Sequence, residues 1–239
     1  MKVLSIGNSF STDAQHYLHR LAAHNGMSIR TVNLFIGGCS LETHYLNMLD
    51  DLPSYAYIFN SEGTGLKVSI RQALTSDHWD VITLQQARSL SFKPESYSPY
   101  IEELAAYVRK YCPHAKLMIH ETWAYEDGSD RLKAAGFDRA DDMLAGLRDC
   151  YKKAAEAISA DGIIPSGEAM RLAERGGITG IHCDSAHASY GTGRYLLALT
   201  WLKTLTGIDV SQDSFNAFAI PVTDEERAII IRAVSEATK

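Results

Sequence analysis

A serine stands at the carboxyl end of the first apolar run of the chain, in the stretch Gly7-Asn8-Ser9-Phe10. A hydroxyl between a predicted strand and a helix has backbone N–H groups nearby and is well placed to act as a nucleophile. It then needs a histidine base within hydrogen-bond reach and a third group that orients the histidine. Taken alone, Ser9 is more typical of a turn or a helix cap.

Asp184 and His187 have the residue types that such a nucleophile requires, and they lie three positions apart just before a predicted helix at 189–205. A single turn can direct both side chains to one point, where one acts as base and the other selects its tautomer. The same D-x-x-H spacing is also common in ordinary surface turns. The Asp184–His187 pair therefore indicates a catalytic site only in combination with Ser9.

Two further groups could stabilise a developing oxyanion. Gly37 and Gly38 follow the second predicted strand, and adjacent glycines let the backbone approach a ligand and offer an N–H. Gln85 and Gln86 follow the third predicted strand, and side-chain amides are also donors. A tight turn and ordinary strand-end amides are the simpler interpretations of each pair taken alone.

Short β-rich runs alternate along the chain with stretches of helical period, a pattern typical of parallel βαβ units. The predicted strands are 2–6, 28–35, 79–84, 115–120 and 162–165; the predicted helices are 13–25, 41–49, 66–75, 97–111, 138–160, 189–205 and 224–237, with loops at 53–65 and 123–136. Ser11 or Thr12 is expected to cap the first helix. We expect one α/β domain, 1–239, a three-layer sandwich with a flavodoxin-like parallel five-stranded sheet of order 2-1-3-4-5. In that order the four motifs converge at one edge of the sheet.

The composition excludes several classes of protein. With 239 residues, 46% hydrophobic, 22% charged and a formal net charge of −6, the chain has ordinary globular values and no basic run that would attract nucleic acid. No apolar stretch approaches the length of a membrane span, and no H-E-x-x-H metal motif occurs. Four scattered cysteines fit a cytoplasmic location, while a periplasmic or secreted one stays open if a leader precedes the chain. The oligomeric state is not addressed by the sequence.

The motifs together resemble those of the SGNH (GDSL-like) hydrolase superfamily, and they spread over nearly the whole chain. Gly7-Asn8-Ser9-Phe10-Ser11 is similar to the first block, Gly37-Gly38 to the second, and Asp184-Ser185-Ala186-His187 to the last, while Gln85-Gln86 stands in the place of the third. A bacterial subgroup labelled as a domain of unknown function has similar sequence segments: GNSFS, GGCSLETH, LQQ and HETWAY. Some relatives of that subgroup are carbohydrate esterases.

The resemblance implies roles for particular residues: nucleophile Ser9, general base His187, orienting carboxylate Asp184, and an oxyanion hole from the backbone N–H groups of Ser9 and Gly38 and a side-chain amide. The usual third block, G-x-N-D, is missing from this sequence. In its place we expect Gln85, with Gln86 as the alternative. The first block also reads G-N-S where G-D-S is usual, which keeps the nucleophile and changes one neighbouring charge.

Three aromatic or imidazole side chains are candidates for substrate contacts. His44 lies on the helix that follows Gly38, and a solvated helix face is an equally good interpretation of its position. Trp123 and Tyr125 follow the fourth predicted strand, where they could stack on a sugar ring or pack within a loop.

The leading hypothesis is a serine esterase that hydrolyses small acyl esters, above all acetyl esters of carbohydrates, through an acyl-enzyme. No metal or organic cofactor is expected, and the expected partner is a small-molecule or carbohydrate ester. A lipase, thioesterase or acyltransferase on the same triad is one alternative. A carbohydrate-binding protein that keeps the fold without turnover is another.

Overall fold

The computed structural model describes residues 1–239, and its centre is one mixed sheet of seven strands. The strands are β1 Lys2–Gly7, β2 Arg30–Phe35, β3 Tyr55–Phe59, β4 Glu62–Val68, β5 Val81–Leu84, β6 Lys116–Glu121 and β7 Gly162–Pro165. Their spatial order is β4-β3-β2-β1-β5-β6-β7. Because β1 pairs in parallel with β2 on one side and β5 on the other, the end of β1 lies in the middle of the sheet.

Ten α-helices cover the two faces of the sheet. They are α1 Ser9–Gln15, α2 Leu18–His24, α3 Leu41–Leu49, α4 Ile70–Ser76, α5 Tyr100–Tyr111, α6 Asp130–Ala134, α7 Ala140–Ala157, α8 Ser166–Arg175, α9 Thr192–Thr206 and α10 Asp224–Ala237. Helices α3 to α7 form a hydrophobic core on one face, while α1, α2, α8, α9 and α10 form a second core on the other. None of the helices is both long and apolar enough to cross a bilayer.

The central strands supply apolar side chains to both cores. Leu4 and Ile82 pack beneath α3 to α7, whereas Val3 and Val81 pack beneath the helices of the opposite face. Successive side chains of a strand point to opposite faces, so a strand covered by helices on both sides is apolar at nearly every position. The continuous apolar runs of the sequence therefore mark the centre of the sheet.

The five parallel strands β2-β1-β5-β6-β7 confirm the predicted sheet and its order 2-1-3-4-5. The sheet is larger than predicted, because 53–65 does not form a loop. This stretch contains β3 and part of β4, an antiparallel hairpin that extends the sheet beyond β2. The prediction of an all-parallel five-stranded sheet is corrected to a mixed sheet of seven strands.

The turn of this hairpin explains why the stretch folds as two strands. Phe59 pairs with Glu62 around Asn60 and Ser61, whose φ angles are 47° and 68°. Positive φ at both central residues is typical of a type I′ turn, whose twist matches that of the flanking strands. Asn60 after an alternating β-rich run is the signal for a hairpin that the loop prediction overlooked.

The first predicted helix begins earlier than expected and is divided into two. Helix α1 starts at Ser9, directly after β1, and its N-cap is Asn8, whose side-chain oxygen accepts a hydrogen bond from Phe10 N–H at 3.0 Å. Ser11 and Thr12, the predicted caps, lie inside the helix. The nucleophile candidate is therefore the first helical residue, with no loop between it and the strand.

Two helices are absent from the sequence prediction. Helix α8 follows β7 without a loop, and the short helix α6 lies within 123–136, which was expected to be irregular. In α6, Ser129 caps the first turn by accepting from Leu132 N–H at 3.2 Å.

Candidate active site

The end of β1 brings Ser9 to the carboxyl edge of the sheet. A Cβ atom at Gly7 would lie 2.1 Å from the Oγ atom of Ser11, so only glycine lets the strand pass this close to the helix that follows. Asn8 is 1% exposed, and its amide donates to the carbonyl of Cys39 at 3.1 Å. Buried contacts of the two residues before Ser9 therefore fix the backbone at this point.

His187 and Asp184 lie on the loop between α8 and α9, and the structure brings both to Ser9. The Nε2 atom of His187 is 3.0 Å from Ser9 Oγ, and its Nδ1 atom is 2.8 Å from Asp184 Oδ2. The other carboxylate oxygen of Asp184 accepts from the backbone N–H groups of Ala186 at 3.1 Å and His187 at 2.7 Å. Serine, histidine and aspartate thus form one continuous line of hydrogen bonds.

The Asp184 carboxylate is held in its ionised form. Partial burial acts to raise its pKa, but the hydrogen bonds from the backbone and side chain of His187 outweigh burial and lower the pKa to about 2. Arg131, 3.8 Å from Asp184 Oδ2, adds a favourable charge. An ionised carboxylate at Nδ1 selects the tautomer in which Nε2 is free to accept the serine proton.

A buried ion pair ties the His187 loop to α1. The Oδ2 atom of Asp13 accepts from Ala188 N–H at 2.9 Å, and its Oδ1 atom lies 2.7 Å from Nη2 of Arg194. Both side chains are at most 10% exposed, and burial raises the pKa of Asp13. Sequence analysis missed both residues, although Asp13 lies four positions after Ser9 and therefore on the same side of the helix.

Ser9 and His187 open onto a cleft of about 360 Å³. Its walls are Asn8, Ser9, Phe10, Gly37, Gly38, Ala87, Arg88, Ser89, Tyr125 and His187. Gly38 has a φ of 64°, and its N–H donates to no backbone oxygen. The N–H of Ser9, as the first residue of α1, has no acceptor within the helix. Both backbone donors assigned to an oxyanion hole thus belong to residues of this cleft.

Neither glutamine reaches the cleft, which corrects the expectation that Gln85, or else Gln86, donates to an oxyanion. Gln85 is 1% exposed; its amide donates to Asn8 Oδ1 at 2.7 Å, and its carbonyl accepts from Ser11 at 2.5 Å and contacts His120 at 2.7 Å. Gln85 therefore stabilises the turn that contains Ser9 through buried hydrogen bonds.

Gln86 is also fully engaged. Its amide nitrogen donates to the carbonyl and hydroxyl of Ser96 at 2.8 and 3.1 Å, and its side-chain oxygen accepts from Leu41 N–H at 3.0 Å and Ala87 N–H at 2.7 Å. An amide committed to these partners is not available to a substrate. Gln86 joins the start of α3 to the loop after β5.

Of the three side chains expected to contact substrate, only Tyr125 lines the cleft. His44 is fully buried, with Nδ1 2.9 Å from the Tyr55 hydroxyl, and burial lowers its pKa to about 3. Trp123 is 1% exposed and donates from Nε1 to Ala186 O at 2.8 Å, which supports the His187 loop. His44 and Trp123 are therefore structural residues, and their assignment to substrate is corrected.

Comparison with known proteins gives the chain a family. Residues 2–233 match the family model described as "Domain of unknown function (DUF4886)". The chain belongs to the DUF4886 family. A crystal structure of a DUF4886 family protein from Bacteroides uniformis ATCC 8492 has a TM-score of 0.89 at 35% sequence identity, covering 99% of this chain and 94% of that one. No curated protein matches the chain.

More distant structures show which fold this DUF4886 chain has. A protein from Slackia heliotrinireducens, assigned as an SGNH hydrolase, has a TM-score of 0.63 at 22% identity and covers 86% of this chain and 98% of its own. An acetyl xylan esterase from Geobacillus stearothermophilus has a TM-score of 0.50 at 18% identity, covering 84% and 93%. The predicted resemblance to the SGNH superfamily is confirmed at the level of fold.

Proposed function

We propose that this protein is a serine esterase that hydrolyses short acyl esters, with acetyl esters of carbohydrates as the favoured class. One observation carries the proposal: the unbroken line from Ser9 Oγ to His187 Nε2 at 3.0 Å and from His187 Nδ1 to Asp184 Oδ2 at 2.8 Å. A serine hydroxyl becomes a nucleophile when a base accepts its proton, and the base stays effective when a carboxylate orients it.

Hydrolysis follows in two steps. Ser9 attacks the ester carbonyl while His187 takes its proton and then passes it to the leaving alcohol, which produces an acyl-enzyme. Water attacks the acyl group with His187 again as base, and Ser9 leaves with the proton restored. The backbone N–H groups of Ser9 and Gly38 stabilise the oxyanion in both steps.

The cleft favours a small acyl group. Aliphatic side chains are scarce among its walls, where Ala87 stands beside polar and aromatic residues. A long acyl chain would gain little from such walls, since its binding depends on the apolar area that it buries. An acetyl xylan esterase shares the fold, which supports acetyl as the acyl group.

Covalent labelling tests the nucleophile directly. A fluorophosphonate probe should label the wild-type protein, and p-nitrophenyl acetate should be hydrolysed. Ser9→Ala should lose the labelling and at least about 10³-fold in kcat, because the nucleophile is removed. Ser211→Ala is the control, since Ser211 is exposed and bonds only within its own turn to Asp209. A wild-type protein that neither labels nor hydrolyses the ester would contradict the proposal.

A panel of esters tests the substrate class. p-Nitrophenyl esters of increasing chain length should show kcat/KM highest for acetate and falling with each added methylene. The alcohol part of the substrate is tested with acetylated xylan and acetylated monosaccharides. Mass spectrometry measures the acetate that is released. Best turnover of long-chain esters would instead favour a lipase.

A further inference from the structure

Arg88 projects an unpaired cation into the cleft beside Ser9. It begins a short 3₁₀ helix four residues after the end of β5, and its guanidinium carbon lies 4.0 Å from the centre of the Tyr125 ring and 4.9 Å from that of Phe10. Contacts with two rings restrict the guanidinium, which reduces the entropy that binding would cost.

No carboxylate forms a salt bridge with this arginine. The two other arginines near the site both have one, since Arg131 lies 3.8 Å from Asp184 and Arg194 lies 2.7 Å from Asp13. Arg88 forms no salt bridge, and its Nε and Nη1 atoms are buried without a hydrogen-bond partner. Burial lowers the pKa of Arg88, yet a guanidinium remains charged at neutral pH. The cation thus lacks the partners that buried arginines normally have.

A second pocket shares two residues with the cleft and adds a further cation, Lys93. It has a volume of about 310 Å³, shares Ser89 and Tyr125 with the cleft, and is also lined by Lys93 and Arg131. No aspartate or glutamate lines either pocket. In a chain with a net charge of −6, this local excess of cations is not a consequence of the overall composition.

We propose that the cleft is selective for esters that carry a carboxylate, and that Arg88 binds this carboxylate while Ser9 attacks the ester. The inference rests on the proposed esterase function and names its substrate class. A carboxylate supplies the charged acceptor that the unpartnered N–H groups of this guanidinium lack. Lys93, which forms no salt bridge, extends the positive surface outward, so that longer anionic substrates follow the second pocket.

Matched esters that differ only in charge test the inference. On the alcohol side, para-acetoxybenzoate is compared with its methyl ester; on the acyl side, mono-p-nitrophenyl adipate is compared with p-nitrophenyl hexanoate. Wild-type kcat/KM should favour the anion in at least one pair, and that pair shows on which side of the ester the carboxylate lies. In Arg88→Met the preference should fall about 10- to 100-fold, the effect of a hydrogen bond between charged groups.

Two lysine variants serve as matched controls. Lys93→Met removes a cation from the second pocket and should reduce the preference less than Arg88→Met does. Lys152→Met removes an exposed cation from α7 that lines neither pocket, and it should leave the preference unchanged. A fall in kcat/KM for neutral and anionic esters alike in Arg88→Met would overturn the inference, because Arg88 would then act on the reacting carbonyl or on the fold.

Binding without turnover separates this inference from the esterase proposal. para-Hydroxybenzoate and adipate are titrated calorimetrically into Ser9→Ala protein. At least one should bind, and its Kd should rise about 10-fold or more when Arg88→Met is added, with unchanged circular dichroism as the folding control. Failure of probe labelling in the wild type would contradict the esterase while leaving this measurement valid. Binding independent of Arg88 would overturn the anion site.

Discussion

The two halves of the Ser9–His187–Asp184 line are held in different ways. Ser9 begins α1 at the end of the central strand β1, next to Asn8 at 1% exposure and close to the buried Gln85. The side chains of His187 and Asp184 are 32% and 42% exposed and belong to a loop. The nucleophile is therefore held by buried neighbours at the centre of the sheet, whereas its base and carboxylate lie on a partly exposed loop.

Because the loop has little core of its own, a few contacts determine where its histidine lies. Ala188 N–H donates to Asp13, and Ala186 accepts from Trp123, so the backbone on both sides of His187 is held from below. Substitutions in the loop should therefore change chemistry with little effect on stability. Substitutions at its anchors should change both.

His187→Ala is expected to have the largest effect on activity. Without the base, kcat for p-nitrophenyl acetate should fall at least about 10³-fold, and fluorophosphonate labelling should be lost as well. The side chain hydrogen-bonds only to Ser9 and Asp184, so the free energy of unfolding should change by no more than about 0.5 kcal/mol.

His24→Ala is the matched control, since His24 is exposed and hydrogen-bonds to Ser214. Its activity should equal that of the wild type. Residual turnover above about a tenth of wild type in His187→Ala would mean that another group acts as base.

Asp13→Asn should have an intermediate effect, because it breaks the main anchor of the loop. The asparagine leaves Arg194 buried without a counter-charge, which typically costs about 3–5 kcal/mol of stability. A histidine displaced by about 1 Å loses on the order of 10²-fold in rate. We expect kcat to fall about 10- to 100-fold at temperatures well below unfolding, with KM little changed.

A core variant separates positioning from simple loss of stability. Val234 is fully buried in α10, and Val234→Ala should lower the unfolding temperature with kcat unchanged. Asp13→Asn protein that is equally destabilised but fully active would show that the ion pair serves stability alone. Slower fluorophosphonate labelling in Asp13→Asn than in Val234→Ala would support a positioning role.

Local motifs carried most of what the sequence revealed of the fold and the candidate site. The Ser9 turn and the Asp184–His187 pair each lie within a few residues, at points where the alternation of strands and helices places the sheet edge. The parallel strand order followed from the same alternation. The hairpin at Asn60 carries a local signal as well, and was missed because its positive-φ turn was not recognised.

What the sequence could not reveal depends on contacts between distant segments. Gln85 lies at a strand end, where an oxyanion donor is expected, but its amide donates to Asn8. Nothing in the segment L-Q-Q indicates that the side chain points to Asn8 and not into the cleft. The Asp13–Arg194 pair joins two helices from opposite ends of the chain. From the sequence, Arg88 is an ordinary loop cation. Only the structure shows that no carboxylate forms a salt bridge with it.

The smallest expected effect concerns pH and the buried side of the site. His120 is fully buried, with Nδ1 2.7 Å from Gln85 and Nε2 3.1 Å from Ser166, and burial lowers its pKa to about 3. An unfolded histidine has a pKa of about 6.5. Below about pH 6.5 this histidine binds a proton in the unfolded chain but stays neutral in the folded protein. The contribution of His120 to the free energy of unfolding therefore decreases as pH falls from about 6.5 toward 3.

Denaturant unfolding between about pH 4 and pH 6 measures this slope, which should be about 1.4 kcal/mol per pH unit for each such histidine. His120→Gln should reduce the wild-type slope by up to that amount, and equal slopes would mean that folded His120 already carries the proton. The pKa of Asp184 falls from 3.8 to about 2 on folding, so its contribution to stability is complete above about pH 5 and is lost as pH falls from about 4 toward 2. Asp184→Asn should therefore change the slope in this window little, because the Asp184 carboxyl titrates below it.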